Sequence, residues 1–477
     1  MIATSMGARI VGLFGTLIVT RCLAPAVMGD VAAATIISLT TGWLSTWGFG
    51  QYAVVKGRGP DALEVTWHAT VAYAVVGVVG FGIVILIAPQ VASALDAPQA
   101  ARYIPGLALA AVIRRIGATP ERVLTRSMQF RSVGLASAAG EVSYAVVATC
   151  LAANGWGGDA VVVGNIVQSS MATALLIRAA GWAAWATPVP LRWGRFADML
   201  RFGVPLAVQL IAHSASRYWG TLAIVRIFGS AAAGVYSLAY NLADIPAIYI
   251  GEQLTLVLMP SLASLPPDRR AAAFERATRM LALILFPLAI GLGLVAKPLV
   301  ALVLPANWQG VAPLLTVLSA LSVSRPITCA LSSYMEAREQ TGQLMFLELA
   351  NLVLLLGGTW ALSGLGLTWS AGAVGIAFGI YAVAGVWLVA RNGLSIRRLA
   401  RGFVQPLAAC GAMAVVVLTV RAMIEGTISI GAQLGTEIAV GALTYVLVAS
   451  VVCRETARNL VELARDMMKP RAARRFG

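Results

Sequence analysis

The chain has 477 residues, of which 59% are hydrophobic and only 12% are charged. Because soluble domains carry roughly 25% charged residues, this composition excludes an ordinary water-soluble protein and indicates lipid as the solvent for much of the surface. The formal net charge of +15 would suggest nucleic-acid binding in a soluble protein, so its meaning depends on where the charges lie.

Fourteen segments of the sequence are long and apolar enough to cross a bilayer, for which about 20 residues are needed. In chain order they lie near 5–20, 29–50, 66–88, 102–119, 131–153, 160–179, 203–226, 232–258, 278–297, 309–332, 341–362, 367–390, 402–422 and 432–453. The segments between them are short, which leaves no room for an inserted soluble domain. The sequence therefore predicts an all-α polytopic membrane protein with about fourteen transmembrane helices.

The distribution of Lys and Arg along the chain tests this topology. If the N-terminus is cytoplasmic, the cytoplasmic loops and tail contain 27 of the 35 Lys and Arg residues, and the opposite loops contain five. Cytoplasmic loops of membrane proteins carry such an excess of positive charge. We therefore predict that both termini are cytoplasmic. The net charge then reflects topology, and no nucleic-acid partner is expected.

The chain also contains an internal repeat. Arg21 and Gly29 have the same spacing as Arg226 and Gly234, and the second pair follows the first by 205 positions. Each pair links an outward helix to an inward one, and transporters are often built from such repeats with a substrate site between the halves. The predicted parts are two pseudo-symmetric six-helix lobes (1–180 and 198–390), a cytoplasmic linker (181–197), helices 13 and 14 (391–453) and a basic amphipathic tail (454–477).

Ionisable side chains inside predicted spans are the best site candidates, because a charge in the membrane is costly and usually functional. Arg217 lies in the seventh span with His213 one turn before it, and Asp244 lies in the eighth span near Asn241. We predict that Arg217, His213 and Asn241 bind an anionic headgroup in a cavity, with Asp244 as the counter-ion of Arg217 or as a proton site. The alternative is a structural ion pair.

Four more ionisable residues within spans are site candidates. Arg325 precedes Pro326, which would bend the tenth helix, and it is a second candidate cavity residue. Arg9 is a third, although it lies near the cytoplasmic end of the first span and could extend to the headgroups instead. Glu141 and Glu348 are candidates for ion coupling, and the alternative is that each is a neutral, hydrogen-bonded interior residue.

Signatures of soluble enzymes are absent from the sequence. It contains no Walker loop, no HExxH motif and no cluster of metal-ligating residues, and its five cysteines form no short-spaced pairs. Cysteines so spaced predict neither a zinc site nor a disulfide framework. We expect no cofactor, no metal and no catalytic residue.

Several segments resemble one family of membrane transporters. They are TRCLAPAVMGD (20–30), RSMQFRS (126–132), the stretch 202–246, VLMPSLASL (257–265) and the proline in LFPLAI (285–290). Their order and spacing resemble the Wzx-type polysaccharide flippases, the polysaccharide-transporter branch of the MOP superfamily. That superfamily also contains the lipid II flippases and the multidrug and toxin extruders.

The resemblance implies a monomeric flippase of the bacterial inner membrane with two lobes around a cationic central cavity. By alternating access it would move undecaprenyl-diphosphate-linked oligosaccharide repeat units from the inner to the outer leaflet for surface polysaccharide assembly. A polysaccharide polymerase and a chain-length regulator are the partners that this role implies. Arg9 falls where lipid II flippases carry a cavity-facing arginine of the first helix, so it is the residue that the resemblance supports most directly.

Two other functions are compatible with a polytopic helical chain. A multidrug or cation antiporter of the same fold would favour a cavity rich in carboxylates, whereas here the basic residues within spans at least match the acidic ones. A membrane-embedded glycosyltransferase or polymerase usually carries its catalytic residues on long extracytoplasmic loops, and the loops here are short. The sequence favours the flippase over both.

Overall fold

The computed structural model describes residues 12, 15–56, 61–251, 258, 261–262, 264–338, 340–391, 393–454 and 456–458. Within these ranges the secondary structure is helical, and no strand is present. The predicted all-α polytopic fold is confirmed. Arg9 and nearly all of the predicted tail lie outside the described residues, so both remain predictions.

Sixteen helices of seven residues or more run through the described residues. They are α1 (Pro25–Leu44), α2 (Phe49–Lys56), α3 (Ala62–Leu86), α4 (Ala88–Ala94), α5 (Ala100–Arg126), α6 (Phe130–Ala153), α7 (Asp159–Ala180), α8 (Trp193–Ala243), α9 (Pro267–Leu294), α10 (Ala296–Val303), α11 (Val311–Leu321), α12 (Arg325–Ala337), α13 (Thr341–Ala361), α14 (Leu367–Ala390), α15 (Ile396–Ile424) and α16 (Ile430–Val452). In the described part of the chain, eleven helical segments are long and apolar enough to cross a membrane.

The difference between eleven segments and the predicted fourteen has identifiable causes. The first predicted span lies largely outside the described residues. The seventh and eighth are counted together as one segment, α8, although a sharp turn at Gly229 divides α8 into two helices. Gly229 has φ 82° and ψ 172°, a conformation that is essentially restricted to glycine. The remaining segment, α5, is long enough to span but carries several charges.

Helix α5 corrects the predicted end of the fourth span. The sequence predicted a span over 102–119 followed by a cytoplasmic loop, but the helix continues to Arg126 and includes Pro120. Arg122, which lies beyond the predicted span, therefore belongs to the helix, as do Arg114 and Arg115, which lie within that span but were counted with the cytoplasmic charges. Arginine favours helices, and membrane helices tolerate an internal proline when neighbouring groups satisfy the freed carbonyl.

The chain divides into two compact units. Unit 1 comprises Met1–Ser237 and Thr359–Leu367, and unit 2 comprises Leu238–Gly358 and Thr368–Gly477. In unit 1, helix α5 packs against α1, α3 and α7. In unit 2, helix α9 packs against α11, α12 and α15, and α15 packs against α16. The predicted lobe boundaries are not tested by this division and stay a prediction.

The two repeat motifs meet inside unit 1 at a contact that we term the glycine seam, formed by Pro25, Gly29, Ser230 and Gly234. A Cβ atom added to Gly29 would lie 1.8 Å from the Ser230 carbonyl oxygen, and one added to Gly234 would lie 2.0 Å from the Pro25 carbonyl oxygen. Small residues allow helix backbones in membranes to approach closely. Because Ser230 and Gly234 are the repeat equivalents of Pro25 and Gly29, the contact is reciprocal.

The cytoplasmic linker predicted at 181–197 packs against the start of α3 within unit 1. The buried His68 ring bonds the Glu64 carbonyl oxygen through Nδ1 (2.7 Å), and its Nε2 accepts from the backbone N–H of Arg192 (2.9 Å). The Thr70 hydroxyl donates to the Trp185 carbonyl oxygen at 3.1 Å. These bonds fix the linker to the helix, and the sequence analysis did not single out His68.

Most cations assigned to the non-cytoplasmic side are neutralised by carboxylates. Arg102 pairs with Asp159, and three further ion pairs join Arg226 to Asp96 (2.5 Å), Lys297 to Glu425 (2.8 Å) and Arg421 to Glu437 (2.5 Å). The hydrogen bond from Lys297 lowers the pKa of the exposed Glu425 below its ordinary value. These pairs reduce the net positive charge of that side, which sharpens the asymmetry between the two faces.

Candidate functional site

One face of α5 lines a cavity of about 250 Å³ within unit 1. The lining residues of this helix recur at intervals of three, four and seven, which is the spacing of a single helical face. They are Leu107, Ala110, Ala111, Arg114, Arg115, Ala118, Glu121 and Arg122. Small side chains above and below the arginines leave the guanidinium groups as the main feature of this wall. We call this space the arginine cavity.

Helices α1, α3 and α7 supply the other walls of the arginine cavity. Their side chains are largely hydroxyls, amides and aromatic rings: Thr35, Ser38, Leu39, Trp43, Tyr73, Phe81 and Asn165, together with Gly42 and, just after α1, Thr46. Ser38 is only 5% exposed, and its hydroxyl has no hydrogen-bond partner among the described residues. Apolar walls with a few convergent polar groups are typical of a ligand site.

The arginines are held by neutral groups. Arg115 Nη2 donates to the Gly42 carbonyl oxygen, and its guanidinium carbon lies 5.7 Å from the centre of the Tyr73 ring. Arg114 Nη2 donates to Ser169 Oγ at 3.3 Å. Over the described ranges, Arg114, Arg115 and Arg122 form no ion pair with a carboxylate. Three guanidinium groups therefore line one cavity, and the nearby charge of Glu141 acts on one of them, Arg114.

The depth of these arginines follows from the length of α5. Its 27 residues span about 40 Å at 1.5 Å per residue, more than the roughly 30 Å of a bilayer's hydrocarbon core. Arg114 and Arg115 lie at the middle of the helix, and Arg122 lies two turns closer to its end. Charged residues so deep in a membrane protein mark binding sites and transport pathways more often than structure.

Arg217, a predicted cavity residue, is connected to the same cavity by aromatic rings. Its guanidinium carbon lies 5.6 Å from the centre of the Tyr218 ring, and that ring lies 5.5 Å from the ring of Trp43, which lines the cavity. Trp219 Nε1 donates to Thr40 Oγ1 at 3.1 Å and fixes this part of α8 to α1. His213, one turn before Arg217, is exposed.

Within unit 2, the structure brings together Asp244 and Arg325. Arg325 Nη2 lies 2.7 Å from Asp244 Oδ1 and 3.2 Å from the Tyr240 hydroxyl, and its guanidinium carbon lies 4.6 Å from the centre of the Phe378 ring. The Asp244 side chain is 4% exposed and that of Arg325 is 17% exposed. The cavity that they line is only about 20 Å³, so the two charges mainly satisfy each other.

The other predicted site residues lie apart from this pair. Asn241 is exposed on α8, one turn before Asp244. Glu348 is buried in unit 2 and accepts a hydrogen bond from the Tyr381 hydroxyl at 3.1 Å. Glu141 is half-buried on α6, and a Cβ atom at Gly12 would lie 2.7 Å from its Oε2. In the part of the chain that the structure describes, no group of three metal-ligating residues is present.

The three arginines of α5 were not predicted as site residues because their charges were counted with those of the cytoplasmic loops. A signal was available, since Arg115 and Arg122 are seven residues apart, with Ala118 between them and Ala111 one turn before Arg115 on the same helical face. That spacing places both arginines on one face. Glu437 was also not predicted from the sequence. It is fully buried and accepts hydrogen bonds from Arg421 Nε and Gln433 Nε2, each at 2.9 Å.

Comparisons with known proteins agree on a family. Residues 18–313 match the model of the polysaccharide biosynthesis protein family. The lipopolysaccharide biosynthesis protein WzxC of Escherichia coli (strain K12) is 26% identical over 268 residues, which is 54% of this chain and 54% of WzxC. The succinoglycan biosynthesis transport protein ExoT of Rhizobium meliloti (strain 1021) is 26% identical over 97% of this chain and 94% of ExoT. The chain thus spans about half of the first relative and nearly all of the second.

Solved structures resemble the whole fold. The lipid II flippase MurJ in an inward closed conformation superposes with a TM-score of 0.79 at 12% identity, over 95% of this chain and 98% of MurJ. An inward-facing multidrug resistance MATE transporter of the MOP superfamily superposes with a TM-score of 0.60 at 16% identity, over 82% of this chain and 94% of that transporter. At such identities the likeness concerns the fold alone. The family match covers more than half of the chain, so the chain belongs to the polysaccharide biosynthesis protein family.

Proposed function

We propose that this protein moves undecaprenyl-diphosphate-linked oligosaccharide repeat units from the inner to the outer leaflet of the bacterial inner membrane. Both termini lie in the cytoplasm, and transport proceeds by alternating access around a cationic cavity. The family assignment and the transport role named for ExoT support a transporter of polysaccharide precursors. Likeness to the fold of MurJ supports a lipid-linked cargo.

The observation that carries this proposal is the arginine cavity. A diphosphate headgroup is an anion, and moving an ion into a low-dielectric region costs many kcal/mol unless opposite charges and hydrogen bonds compensate. Guanidinium groups bind phosphate oxygens in a planar, bidentate geometry and stay charged at all physiological pH values. Arg114, Arg115 and Arg122 supply these groups beside aromatic and hydroxyl side chains that suit a sugar.

The residues predicted from sequence complete the proposed pathway. Arg217, His213 and Asn241 are proposed to contact the glycan headgroup, together with Arg9. Arg325 is proposed to join the cationic surface when its pairing with Asp244 changes during transport. For ion coupling, Asp244 remains a candidate, as do Glu141 and Glu348.

A multidrug or cation antiporter is the second candidate function, because MATE transporters share the fold. Cationic substrates would be repelled by the arginine cavity, which has three arginines and one glutamate among its lining residues. That balance of charge favours an anionic cargo. The proposed molecule acts as a monomer and delivers its product to a polysaccharide polymerase and a chain-length regulator.

The proposal is tested by deleting the gene in its native host and measuring surface polysaccharide and intracellular lipid-linked repeat units. We expect surface polysaccharide to disappear, repeat units to accumulate inside, and the intact gene on a plasmid to reverse both effects. Sensitivity to cationic drugs is measured in the same strains as the control. Normal surface polysaccharide together with increased drug sensitivity would overturn the proposal in favour of the antiporter.

A further inference from the structure

We propose that one end of unit 2 binds the headgroups of anionic phospholipids in the inner leaflet, through four exposed arginines at the start of α15 and just after α16. They are Arg397, Arg401, Arg454 and Arg458, and we term them the basic corner. The occupant is a phospholipid of the surrounding bilayer and not the transported cargo, so the inference goes beyond the proposed function.

The first argument is that the four arginines lie at the same end of three packed helices. Helix α15 packs against both α9 and α16. Arg279, on α9, connects the other two: its Nη2 donates to Thr456 Oγ1 at 3.2 Å, and a Cβ atom at Gly402 would overlap its Cγ. The start of α15 and the residues after α16 therefore converge beside Arg279. The distribution of Lys and Arg assigns this end to the cytoplasm.

The second argument is the helical face on which Arg397 and Arg401 lie. Positions on one face of a helix recur at intervals of three and four. After the two arginines, every such position of this face is exposed and uncharged: Val404, Ala408, Gly411, Val415 and Leu418. The opposite face, which includes Leu399, Ala409 and Met413, is buried. An exposed apolar stripe on a membrane helix faces lipid, so the two arginines continue a lipid-facing stripe.

Helix α16 shows the same arrangement in the opposite direction. Its exposed residues Leu443, Leu447 and Val451 recur every four positions, and Arg454 and Arg458 follow at the next positions of that face. Each of the two helices thus replaces apolar by basic side chains where its lipid-facing stripe reaches this end of unit 2.

The third argument is the depth of the basic corner in the bilayer. The uncharged stretch from Val404 to Val420 corresponds to about 25 Å at 1.5 Å per residue, which is most of the roughly 30 Å of the hydrocarbon core. Arg421 ends this stretch at the other side and pairs with Glu437 inside the protein. The arginines of the basic corner therefore lie at the level of the headgroups, and unlike Arg421 they are directed to lipid.

The fourth argument is the local balance of charge. The buried carboxylate of Glu275, on α9, lies 3.4 Å from Arg279 Nη1 and 3.9 Å from Arg398 Nε. Within the described part of the chain, the arginines of the basic corner form no ion pair. Basic clusters at the cytoplasmic end of membrane helices attract anionic lipids, and arginine binds phosphate oxygens through paired hydrogen bonds. Charge complementarity thus identifies an anionic phospholipid as the partner.

The test measures which lipid surrounds the basic corner in vesicles. The full-length protein, with its native cysteines replaced by alanine and with Val451→Cys, is labelled with bimane. This places the probe on the lipid-facing stripe of α16, one turn before Arg454. The protein is reconstituted in phosphatidylcholine vesicles that contain a small fraction of nitroxide-labelled phosphatidylglycerol or nitroxide-labelled phosphatidylcholine. We expect labelled phosphatidylglycerol to quench bimane at least about threefold more strongly, because each basic residue near the headgroups attracts anionic lipid.

Variants of the basic corner separate charge from folding. Replacing all four arginines by glutamine should abolish the preference for phosphatidylglycerol. Replacing all four by glutamate should reverse it in favour of phosphatidylcholine, a reversal that misfolding cannot produce. Arg178→Gln is the matched control, because Arg178 is an exposed arginine at the end of α7 in unit 1. It should leave the preference unchanged.

A second probe position controls for lipid preferences of the protein as a whole. Met423→Cys places bimane at an exposed position near the other end of α15, where Arg421 is already paired. The two labelled lipids should quench this probe equally.

Equal quenching by the two lipids at Val451→Cys, or an unchanged preference in the glutamine variant, would overturn the proposal. Two further results would also overturn the assignment to a phospholipid. Loss of the preference on addition of farnesyl diphosphate would assign the basic corner to the cargo. Quenching of the probe by aqueous iodide instead of by the labelled lipids would show that the corner faces water.

Discussion

At the residue scale, the ion pair of Asp244 and Arg325 is enclosed by Tyr240 and Phe378 inside unit 2. Removing one partner of a buried ion pair leaves an uncompensated charge, whereas replacing both by neutral groups of similar volume is much less harmful. The same pair thus offers a way to separate a structural role from a role in transport.

We expect Arg325→Met to lower the free energy of unfolding by about 3–5 kcal/mol, because the buried Asp244 then loses its ion pair with Arg325. The double variant Asp244→Asn/Arg325→Met should recover most of this loss. Thermal unfolding of the purified protein, followed by tryptophan fluorescence, measures both effects. Lys297→Met serves as the control, since its ion pair with Glu425 is exposed to solvent and such pairs contribute little to stability. Equal losses in the single and double variants would contradict the buried-pair interpretation.

At the element scale, the glycine seam determines how closely α1 approaches the part of α8 that follows Gly229. Two backbones in contact leave no space for even one methyl group at Gly29 or Gly234. The hydrogen bond between the Ser230 hydroxyl and Asp30 Oδ1, at 2.5 Å, fixes the register of the crossing. The seam therefore depends on glycine for its geometry rather than for its backbone freedom.

Gly29→Ala is expected to destabilise the protein by about 1–3 kcal/mol, the usual cost of overpacking, because the new methyl group would overlap the Ser230 carbonyl oxygen. Gly234→Ala should have a similar effect through the Pro25 carbonyl oxygen. Gly82→Ala, on α3, is the matched control, since nothing lies within 4 Å of a Cβ atom there. Midpoints of thermal unfolding compare the three variants. A wild-type midpoint for Gly29→Ala would show that the two helices do not cross at this distance.

At the scale of the whole molecule, topology rests on the unequal distribution of positive charge. Cys22 is exposed and follows the first predicted span, on the side assigned to the periplasm. Thr187 is exposed in the linker that was assigned to the cytoplasm. These two positions therefore report on opposite faces of the membrane.

With all other cysteines replaced by alanine, a membrane-impermeant maleimide should label Cys22 in intact spheroplasts. Thr187→Cys, in a background that also lacks Cys22, should react only after the membrane is opened. The measurement is the mass shift of the protein on a denaturing gel. The reverse pattern would place both predicted termini on the outer side.

Sequence alone predicted the class of fold well, because a bilayer requires long apolar helices and hydropathy detects them. It did not predict the arginine cavity, because Arg114 and Arg115 were counted with the cytoplasmic charges, and the helix continues beyond the predicted end at 119 to Arg126. Nor could local pattern reveal that Asp244 meets Arg325, because that pairing depends on how distant helices pack. Asp244 and Arg325 were predicted from the sequence as charges within spans, and the structure shows that they pair with each other. The structure also adds the three arginines of the arginine cavity.

The reciprocal form of the glycine seam has an evolutionary consequence. A contact in which each copy of a motif touches the other is the isologous arrangement of a two-fold symmetric dimer. The seam is thus what remains of a subunit interface if the chain arose by duplication and fusion of a half-length ancestor. Fusion frees the two copies to diverge. Asp30 corresponds to Val235 in the second copy, so the bond from Ser230 to Asp30 exists only once, which a homodimer could not have achieved.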